Sequence, residues 1–363
     1  MKPKRVAIIA EWLTSRGGAE NVIFELLRIF PQADLFTTVA NRQLFPELKE
    51  RKVVTSFLQK IPIINKKHQL ALFLLPKAIQ SLNLNGYELI ISSSSAFGKG
   101  IKKPKDAFHI CYCHTPMRWV WEPERDNRLS QLPLSKLIIN YLKKWDLKTN
   151  YNVDLFLANS KNTANKIKKF YSADAKILYP PVSIDLFCRY KTKKKKTNRK
   201  NYYFSISRLI TYKRIDIAIL ACRTLKRKLL IAGDGPEKKR LKKIADDNIE
   251  FLGEINQKEK AELFSDAKAT IFCADEDFGI VPVESLACGT PVIGYKKGGI
   301  LEVVEDKKTG LLFEEQTPQS LAKKIIEFEK MKFFPPTLSQ SVKKFDRINF
   351  ENKLLKIIKE IRS

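Results

Sequence analysis

The feature that most constrains the fold of this chain is a repeated alternation of short apolar runs with segments of helical length. Residues 5–10 have no room to form a helix, so this run predicts a buried parallel strand. A loop with two glycines and a helix over residues 19–30 follow. Further strands are predicted at residues 34–39, 87–92, 108–113 and 154–158, with a helix from the N-cap Ser160 to about Tyr171.

The same alternation starts again after a break at Pro180 and Pro181, which neither a helix nor a central strand accommodates. The second half has predicted strands at residues 202–207, 228–232, 250–252, 270–273, 291–294 and 311–313. An α/β fold of two Rossmann-like domains, each a doubly wound parallel sheet, is therefore predicted. Such sheets bind ligands beyond the carboxyl ends of their strands, so two of them that face each other form a cleft.

The predicted domain boundaries follow from this pattern. Residues 1–187 form the first domain and residues 201–340 the second. Between them, residues 188–200 contain eight basic residues and no acid, which is typical of a solvated linker. Residues 341–363 are predicted as an amphipathic helix that packs back on the first domain.

The basic excess of the chain fits a nucleic acid, an anionic membrane surface, an acidic substrate or simply a lysine-rich genome. The 363 residues have a net charge of +28, but the lysine clusters lack the interleaved aromatic residues of a nucleic-acid stacking platform. An anionic membrane surface is the favoured partner, with contacts expected at residues 60–77 and at Lys102, Lys103 and Lys105. No apolar run is long enough to span a bilayer, and the six cysteines show no disulfide pattern. We therefore expect a cytoplasmic protein in peripheral contact with the inner face of the cell membrane.

A pair of carboxylates marks the strongest local signal. Glu276 and Glu284 lie on either side of a predicted strand-to-helix turn. Gly279 permits close backbone approach, and the free N–H groups after it suit a phosphate. Glu284 could accept hydrogen bonds from ribose hydroxyls and Glu276 from sugar hydroxyls. Two solvent-exposed acids beside an ordinary turn are an equally good interpretation of the spacing alone.

Basic residues follow the first strand of the second half. Arg208 and Lys213 could both reach a pyrophosphate at the carboxyl end of that strand. They could stabilise the negative charge of a departing nucleoside diphosphate. A basic helix start in a basic protein is the competing interpretation. Asp275 and Asp277 form an Asp-x-Asp pattern that could hold a divalent metal, which is the weaker interpretation of these two acids.

The first half offers two further candidates. Gly17 and Gly18 lie in the loop after the first strand, where backbone amides could approach a diphosphate, although a plain tight turn is the more common explanation of two such glycines. His114 lies at the carboxyl end of the 108–113 strand, as a polar group at the site or as a structural histidine. A zinc site with His109, Cys111 and Cys113 is a minor alternative to an ordinary buried strand.

Taken together, these segments resemble family 4 of the retaining glycosyltransferases, which have the two-domain GT-B fold. The segment from His114 to Trp119 (HTPMRW) is most similar to the mannosyltransferase branch that builds bacterial O-antigens. The resemblance implies GDP-mannose as the donor. The motifs that carry it lie at residues 17–20, 111–121, 179–182, 207–214, 233–236 and 276–284.

The resemblance also implies roles for these residues. Glu284 would bind the ribose and Glu276 the donor sugar, while Arg208 and Lys213 would hold the diphosphate. His114 would line the sugar and acceptor side. Catalysis would retain the anomeric configuration by front-face attack, with the leaving phosphate helping to take the acceptor proton and with no metal or cofactor. The remaining donor-binding residues are expected in the two turns, at Gly17, Gly18, Phe278, Gly279 and Ile280.

The resemblance also implies the substrates of the protein, while other donors and other functions stay open. The partners are a nucleotide-sugar donor and a glycan or polyprenyl-linked saccharide acceptor, in the synthesis of a cell-surface polysaccharide. The donor could instead be a UDP- or ADP-sugar. A sugar-nucleotide epimerase of the same fold and a basic nucleic-acid-binding protein are the alternatives from other classes.

Overall fold

The computed structural model describes residues 5–64, 71–126, 134–193 and 200–362. The chain divides into two compact units. The first unit comprises Met1–Pro181 and Phe350–Ser363, and the second comprises Val182–Asn349. The chain therefore leaves the first unit beside the predicted break at Pro181 and returns to it for its C-terminal segment.

A parallel sheet forms the centre of the first unit. The order across the described sheet is β3-β2-β1-β4-β5-β6-β7, and neighbouring strands are parallel. Every residue of β1 is buried, as expected for a parallel strand covered on both faces. The strands are β1 (Val6–Ala10), β2 (Asp34–Thr37), β3 (Val53–Thr55), β4 (Leu89–Ser94), β5 (Phe108–Cys113), β6 (Leu155–Ala158) and β7 (Ala175–Ile177).

The second unit has a smaller parallel sheet with the same logic. Its order within the described residues is β10-β9-β8-β11-β12-β13. In both sheets the strand order reverses beside the first strand, between β1 and β4 and between β8 and β11. The predicted α/β class with two Rossmann-like sheets is confirmed. The strands are β8 (Tyr203–Ile206), β9 (Leu229–Ala232), β10 (Ile249–Gly253), β11 (Thr270–Phe272), β12 (Val292–Tyr295) and β13 (Gly310–Phe313).

Helices connect the strands. In α5 the predicted N-cap is confirmed, because the Ser160 side chain accepts a hydrogen bond from the Thr163 N–H at 2.9 Å. The helices are α1 (Gly18–Ile29), α2 (Leu75–Gln80), α3 (Arg118–Trp121), α4 (Ser135–Lys148), α5 (Lys161–Tyr171), α6 (Ile184–Lys193), α7 (Ile215–Thr224), α8 (Lys238–Lys243), α9 (Gln257–Asp266), α10 (Ile280–Ala287), α11 (Pro318–Glu329), α12 (Pro335–Ser341) and α13 (Arg347–Arg362). Within the described residues, no helix combines the length and the apolar character needed to cross a bilayer.

The predicted linker at residues 188–200 is wrong over its first part. The helix α6 runs to Lys193, and its residues Ile184 and Phe187 are buried in the second unit. The Phe187 ring lies against Phe264, with 6.4 Å between the ring centroids. Apolar residues on one side of this helix therefore fix its position, and the lysines that follow do not prevent helix formation. Residues 194–199 lie outside the described residues.

The C-terminal prediction also needs correction. A single helix from residue 341 does not form, because α12 ends at Ser341 and α13 begins at Arg347. The Asp346 carboxylate accepts a hydrogen bond from the Ile348 N–H at 2.9 Å, which satisfies one of the donors at the new helix start. Four side chains of α13 share a core with strands β1 and β4 of the first unit: Phe350, Leu354, Ile357 and Ile358.

We predict that Leu354→Ala destabilises the first unit. Leu354 is fully buried among residues of the first unit that are distant from it in sequence. The truncation therefore leaves a cavity in the core of that unit and should lower the free energy of unfolding by about 2–5 kcal/mol. Urea denaturation measures this change. The exposed neighbour Lys353, replaced by alanine, is the matched control. Equal stability of the two variants would contradict the packing of α13 on the first unit.

Candidate functional site

The reversal of strand order between β8 and β11 defines a crevice at the carboxyl edge of the second sheet. The loop after β8 leads through Arg208 to Lys213, and the loop after β11 leads to Glu276. Two sequence-distant motifs are thus adjacent because of topology. This is the place where a doubly wound sheet opens to a ligand.

Lys213 and Glu276 make direct contact across this crevice. The Lys213 ammonium donates a hydrogen bond to Glu276 Oε1, and both side chains are largely shielded from solvent. The Lys213 ammonium also lies 5.2 Å from the centre of the Tyr212 ring. The prediction assigned one residue to a diphosphate and the other to a sugar. In the structure the two form a single ion pair.

Two glycines hold the Glu276 backbone in place. Gly298 has a φ of +78°, and a Cβ there would lie 2.2 Å from the Glu276 carbonyl oxygen. The Gly299 N–H donates to the same oxygen at 2.8 Å. Any larger residue at Gly298 would displace the turn that carries Glu276. Sequence reasoning missed this pair, although two adjacent glycines after the predicted 291–294 strand were a usable signal.

The turn after Glu276 delivers the start of α10. Gly279 precedes the helix with a φ of +89°, a conformation that favours glycine, and no side chain caps the first N–H groups. Ile280 is the first helical residue and is partly exposed. The Phe278 side chain is buried, and its ring packs against Phe345 with 5.3 Å between centroids. The packing of the Phe278 ring anchors the turn, and a role for this residue in donor binding stays a prediction.

Glu284 is buried, so the interpretation of two solvent-exposed acids does not hold for this residue. Its Oε1 accepts from the Lys260 ammonium at 2.7 Å. Its other oxygen, Oε2, is buried and has no hydrogen-bond partner in the described part of the chain. Burial raises the pKa of the Glu284 carboxyl, and Lys260 opposes that rise. The site thus contains a buried carboxylate with one oxygen paired and one available.

Lys260 is the partner that sequence reasoning missed. It lies on α9, whose first turn is fixed by a capping box between Asn256 and Glu259. The Lys260 ammonium also lies 5.4 Å from the centre of the Phe187 ring on α6. Lys260 and Glu284 are too far apart in the sequence to form a local motif, so only the fold brings the two together.

The remaining residues of this edge differ in exposure. Arg208 is exposed. Asp277 is buried, whereas Asp275 forms an ion pair with Lys297 at 3.4 Å. Across the ranges that the structure describes, no group of three or more His, Cys, Asp or Glu side chains has a metal-binding arrangement.

The first unit places its candidates at the carboxyl edge of its own sheet. Gly17 and Gly18 begin α1, and no side chain caps that helix. The loop is held by Arg16, whose guanidinium donates to the Leu44 carbonyl at 2.8 Å and pairs with Glu47 at 2.8 Å. The backbone amides at this helix start are therefore presented by an anchored loop.

His114 follows β5 directly. Its Nε2 lies 2.8 Å from the Ser93 hydroxyl at the end of β4, and its ring packs edge-on against Tyr112. The side chain is partly exposed. It is thus oriented by neighbours within the sheet while one part of the ring remains accessible.

The crevice of the first sheet contains a carboxylate that the sequence did not indicate. Glu11 follows β1, and its Oε1 accepts from the backbone N–H groups of Ser95, Ala96 and Gly98 at 2.9, 2.6 and 2.9 Å. A side chain of the protein therefore occupies the anion-binding turn after β4.

The ordinary interpretation holds for the strand with His109, Cys111 and Cys113. His109 is fully buried, with its ring nitrogens 2.8 Å from the Ser92 hydroxyl and 2.7 Å from the Asn152 carbonyl. Burial lowers the pKa of His109 to about 4 and raises that of Cys111 to about 12. Both ring nitrogens have partners within the fold, so His109 is a structural histidine.

We predict that Glu284→Gln removes a loss of stability that the wild type shows as the pH rises. Because the folded-state pKa of Glu284 is raised, the native state binds the proton more tightly than the unfolded state. The wild type should therefore lose stability as pH rises from about 4.5 through the raised pKa, and the variant should not lose this part. Urea midpoints measured against pH test this.

The matched control is Glu254→Gln, which removes the same charge from an exposed position of the same unit. A stability difference between wild type and Glu284→Gln that stays constant with pH would contradict the assignment.

Comparisons with known proteins match glycosyltransferase family models to both halves of the chain. The model for Glycosyltransferase Family 4 matches residues 16–186, and the model for Glycosyl transferases group 1 matches residues 189–345. An uncharacterized glycosyltransferase of Methanocaldococcus jannaschii is 28% identical over 203 residues, which is 54% of this chain and 55% of that protein. The alpha-1,3/1,6-mannosyltransferase ALG2 of Rhizomucor pusillus is 27% identical over 256 residues, covering 56% and 54%. The chain thus spans about half the length of these curated relatives.

Solved structures share the whole fold. The crystal structure of HepE from Anabaena in complex with UDP matches 98% of this chain and 100% of its own, with a TM-score of 0.72 at 18% identity. The two family models together cover most of the chain, each on one half. The N-terminal half of the chain therefore matches one glycosyltransferase family model and the C-terminal half another, and the chain has the GT-B fold of these solved structures.

Proposed function

We propose that the protein is a retaining hexosyltransferase that transfers mannose from GDP-mannose to a glycan or lipid-linked saccharide. The observation that carries the proposal is the pair of carboxylates at the crevice of the second sheet. Glu276 is held by Lys213, and Glu284 is held by Lys260 with its Oε2 unpaired. A ligand with vicinal hydroxyl groups supplies the donors that the buried oxygen lacks.

The proposed binding mode follows the arrangement of these groups. Ribose hydroxyls donate to Glu284 Oε2, and the diphosphate lies at the start of α10 with Arg208 and Lys213. Lys213 then contacts both the phosphate and Glu276, so its charge is shared between the donor sugar site and the leaving group. Fixed cations at this position stabilise the negative charge that develops as the glycosidic bond breaks.

No protein nucleophile is required in this scheme. The acceptor hydroxyl attacks the anomeric carbon from the face of the departing diphosphate, and a phosphate oxygen takes the hydroxyl proton. The sugar keeps its anomeric configuration. Arg208, Lys213 and the free N–H groups at the start of α10 supply positive potential at the phosphates, which is why we propose that no metal is needed.

The donor base and sugar are argued from similarity. The ALG2 relative is a mannosyltransferase, and the segment from His114 to Trp119 resembles the corresponding segment of mannosyltransferases. A second candidate is a UDP-sugar, favoured by the UDP in the HepE structure. We propose that the acceptor belongs to cell-surface polysaccharide synthesis at the inner face of the membrane. His114 would line the acceptor side of the site.

We predict that GDP and GDP-mannose raise the melting temperature of the protein more than UDP, ADP and their sugars. At 100 times its Kd a ligand stabilises the native state by about 2.7 kcal/mol, which is readily measured by thermal shift. Product formation with a lipid-linked or glycan acceptor should follow the same donor. A shift and a product with UDP-glucose alone would contradict the mannosyl assignment. Release of an epimer from the donor without an acceptor would contradict transfer itself.

We predict that Glu276→Gln and Glu284→Gln fail in different ways. Ribose contacts are alike before and during reaction, so Glu284→Gln should mainly weaken the binding of GDP. Glu276 contacts the sugar, whose charge changes in the transition state, so Glu276→Gln should lower kcat by roughly 10²–10³-fold with smaller loss of GDP affinity. Calorimetry with GDP and initial rates separate the two effects.

The exposed Glu254→Gln again controls for loss of one carboxylate on this unit. Glutamine is used instead of alanine because truncation of Glu284 would leave Lys260 buried without a partner. Loss of GDP binding in Glu276→Gln with retention in Glu284→Gln would reverse the two roles. Wild-type rates in both variants would contradict the site.

A further inference from the structure

The outward face of α4 in the first unit carries large apolar side chains in solvent. Leu137 and Tyr141 are 65% and 53% exposed, and Leu134, just before the helix, is 72% exposed. A spacing of four residues places Leu137 and Tyr141 next to one another on one side of α4, whereas Leu134 precedes the helix in a left-handed conformation. Single exposed apolar residues need no explanation, but three within eight residues do.

The orientation of α4 is fixed by its opposite side. Leu142 is fully buried, and Ile138 and Trp145 pack against the same core cluster. Asp146 anchors the last turn, because its carboxylate pairs with Lys99 at 2.8 Å and accepts from the Tyr171 hydroxyl at 2.8 Å. The exposure of Leu137 and Tyr141 is therefore a property of a well-packed helix and not of a loose one.

The charge on this helix has one sign. Lys136, Lys144 and Lys148 are exposed, and Lys143 lies with its ammonium 5.3 Å from the centre of the Trp121 ring. The helix has a single acid, Asp146, which is buried. The solvent face of α4 thus combines exposed apolar side chains with a purely cationic flank, which is the pattern of a helix that lies in a lipid interface.

A second segment leaves apolar residues exposed around the same core cluster. Leu58 and Leu75 are buried in this cluster, while Phe57, Ile63 and Phe73 are 43%, 58% and 54% exposed. Ile63 and Phe73 lie within the 60–77 region where the sequence predicts membrane contact, and Phe57 lies just before it. Residues 65–70 lie outside the described residues. The other predicted contact is weakened, because Lys103 pairs with both oxygens of Asp154 at 2.7 Å.

We propose that the outward face of α4 docks on an anionic lipid bilayer, with Leu134, Leu137 and Tyr141 inserted among the headgroups and Lys136, Lys144 and Lys148 against their phosphates. This deepens the proposed function, since it names the surface by which the first unit reaches a lipid-linked acceptor. A second copy of the chain fits this face poorly, because a symmetric contact would oppose two sets of lysines on proteins of net charge +28.

Vesicle sedimentation tests the proposal without donor or acceptor. Vesicles of equal parts phosphatidylglycerol and phosphatidylcholine should bind the wild type, and vesicles of phosphatidylcholine alone should bind it much less. Lys136→Glu/Lys144→Glu/Lys148→Glu should lower the partition coefficient by roughly 100-fold or more. Leu137→Ser/Tyr141→Ser should lower it at least roughly tenfold.

The matched controls lie on α11 of the second unit, where Ile326 and Lys323 are exposed. Ile326→Ser and Lys323→Glu should leave vesicle binding unchanged. All variants should keep the wild-type thermal shift with nucleoside diphosphates, which separates a failure of docking from a failure of the proposed activity.

Three outcomes would overturn the proposal. They are equal binding to neutral and anionic vesicles, loss of binding in the α11 controls to the same extent, and unchanged binding in both α4 variants. A change of oligomeric state in Leu137→Ser/Tyr141→Ser, measured by sedimentation velocity, would instead assign this face to self-association.

Discussion

The reversal of strand order beside β8 is the constraint on which the candidate site depends. Because of this reversal, the loops after β8 and β11 lead to different helices, and a crevice lies between the two loops. The contact between Lys213 and Glu276 spans that crevice, and Gly298 and Gly299 close on the Glu276 backbone from the loop after β12. Three loops far apart in sequence thus form one rigid edge. The start of α10 and Glu284 are positioned by the same edge.

The Glu284–Lys260 pair supports the proposal that this edge binds a ligand. Burying an ion pair costs desolvation free energy, and a carboxylate with one oxygen unpaired recovers only part of it. A fold selected for stability alone would favour an apolar pair of similar volume at these positions. The unpaired Oε2 is explained if a bound ligand donates to it. Burial raises the pKa of this carboxyl, and Lys260 opposes part of that rise.

The architecture was predictable from periodicity, and the site only in part. The 108–113 strand matches β5 residue for residue, and Ser160 caps α5 as predicted, because both depend on local pattern. Lys260 and Glu11 were missed, since their partners are contributed by other elements. Phe278 was assigned to the donor because it lies in the motif, but its burial against Phe345 depends on a segment late in the chain. The basic residues of the 188–200 segment suggested a linker, yet the buried residues Ile184 and Phe187 fix α6, which runs to Lys193.

The two units share a strand order but use their crevices differently. In the first unit Glu11 fills the anion-binding turn after β4, whereas in the second unit the start of α10 is uncapped. We propose that the buried Oε2 of Glu284 accepts a hydrogen bond from a ribose hydroxyl. A crystal structure of the protein with a bound nucleoside diphosphate would reveal this contact. We expect a ribose hydroxyl within hydrogen-bond distance of Glu284 Oε2 and phosphates at the start of α10. A nucleotide bound elsewhere, or one that leaves Oε2 unpaired, would contradict it.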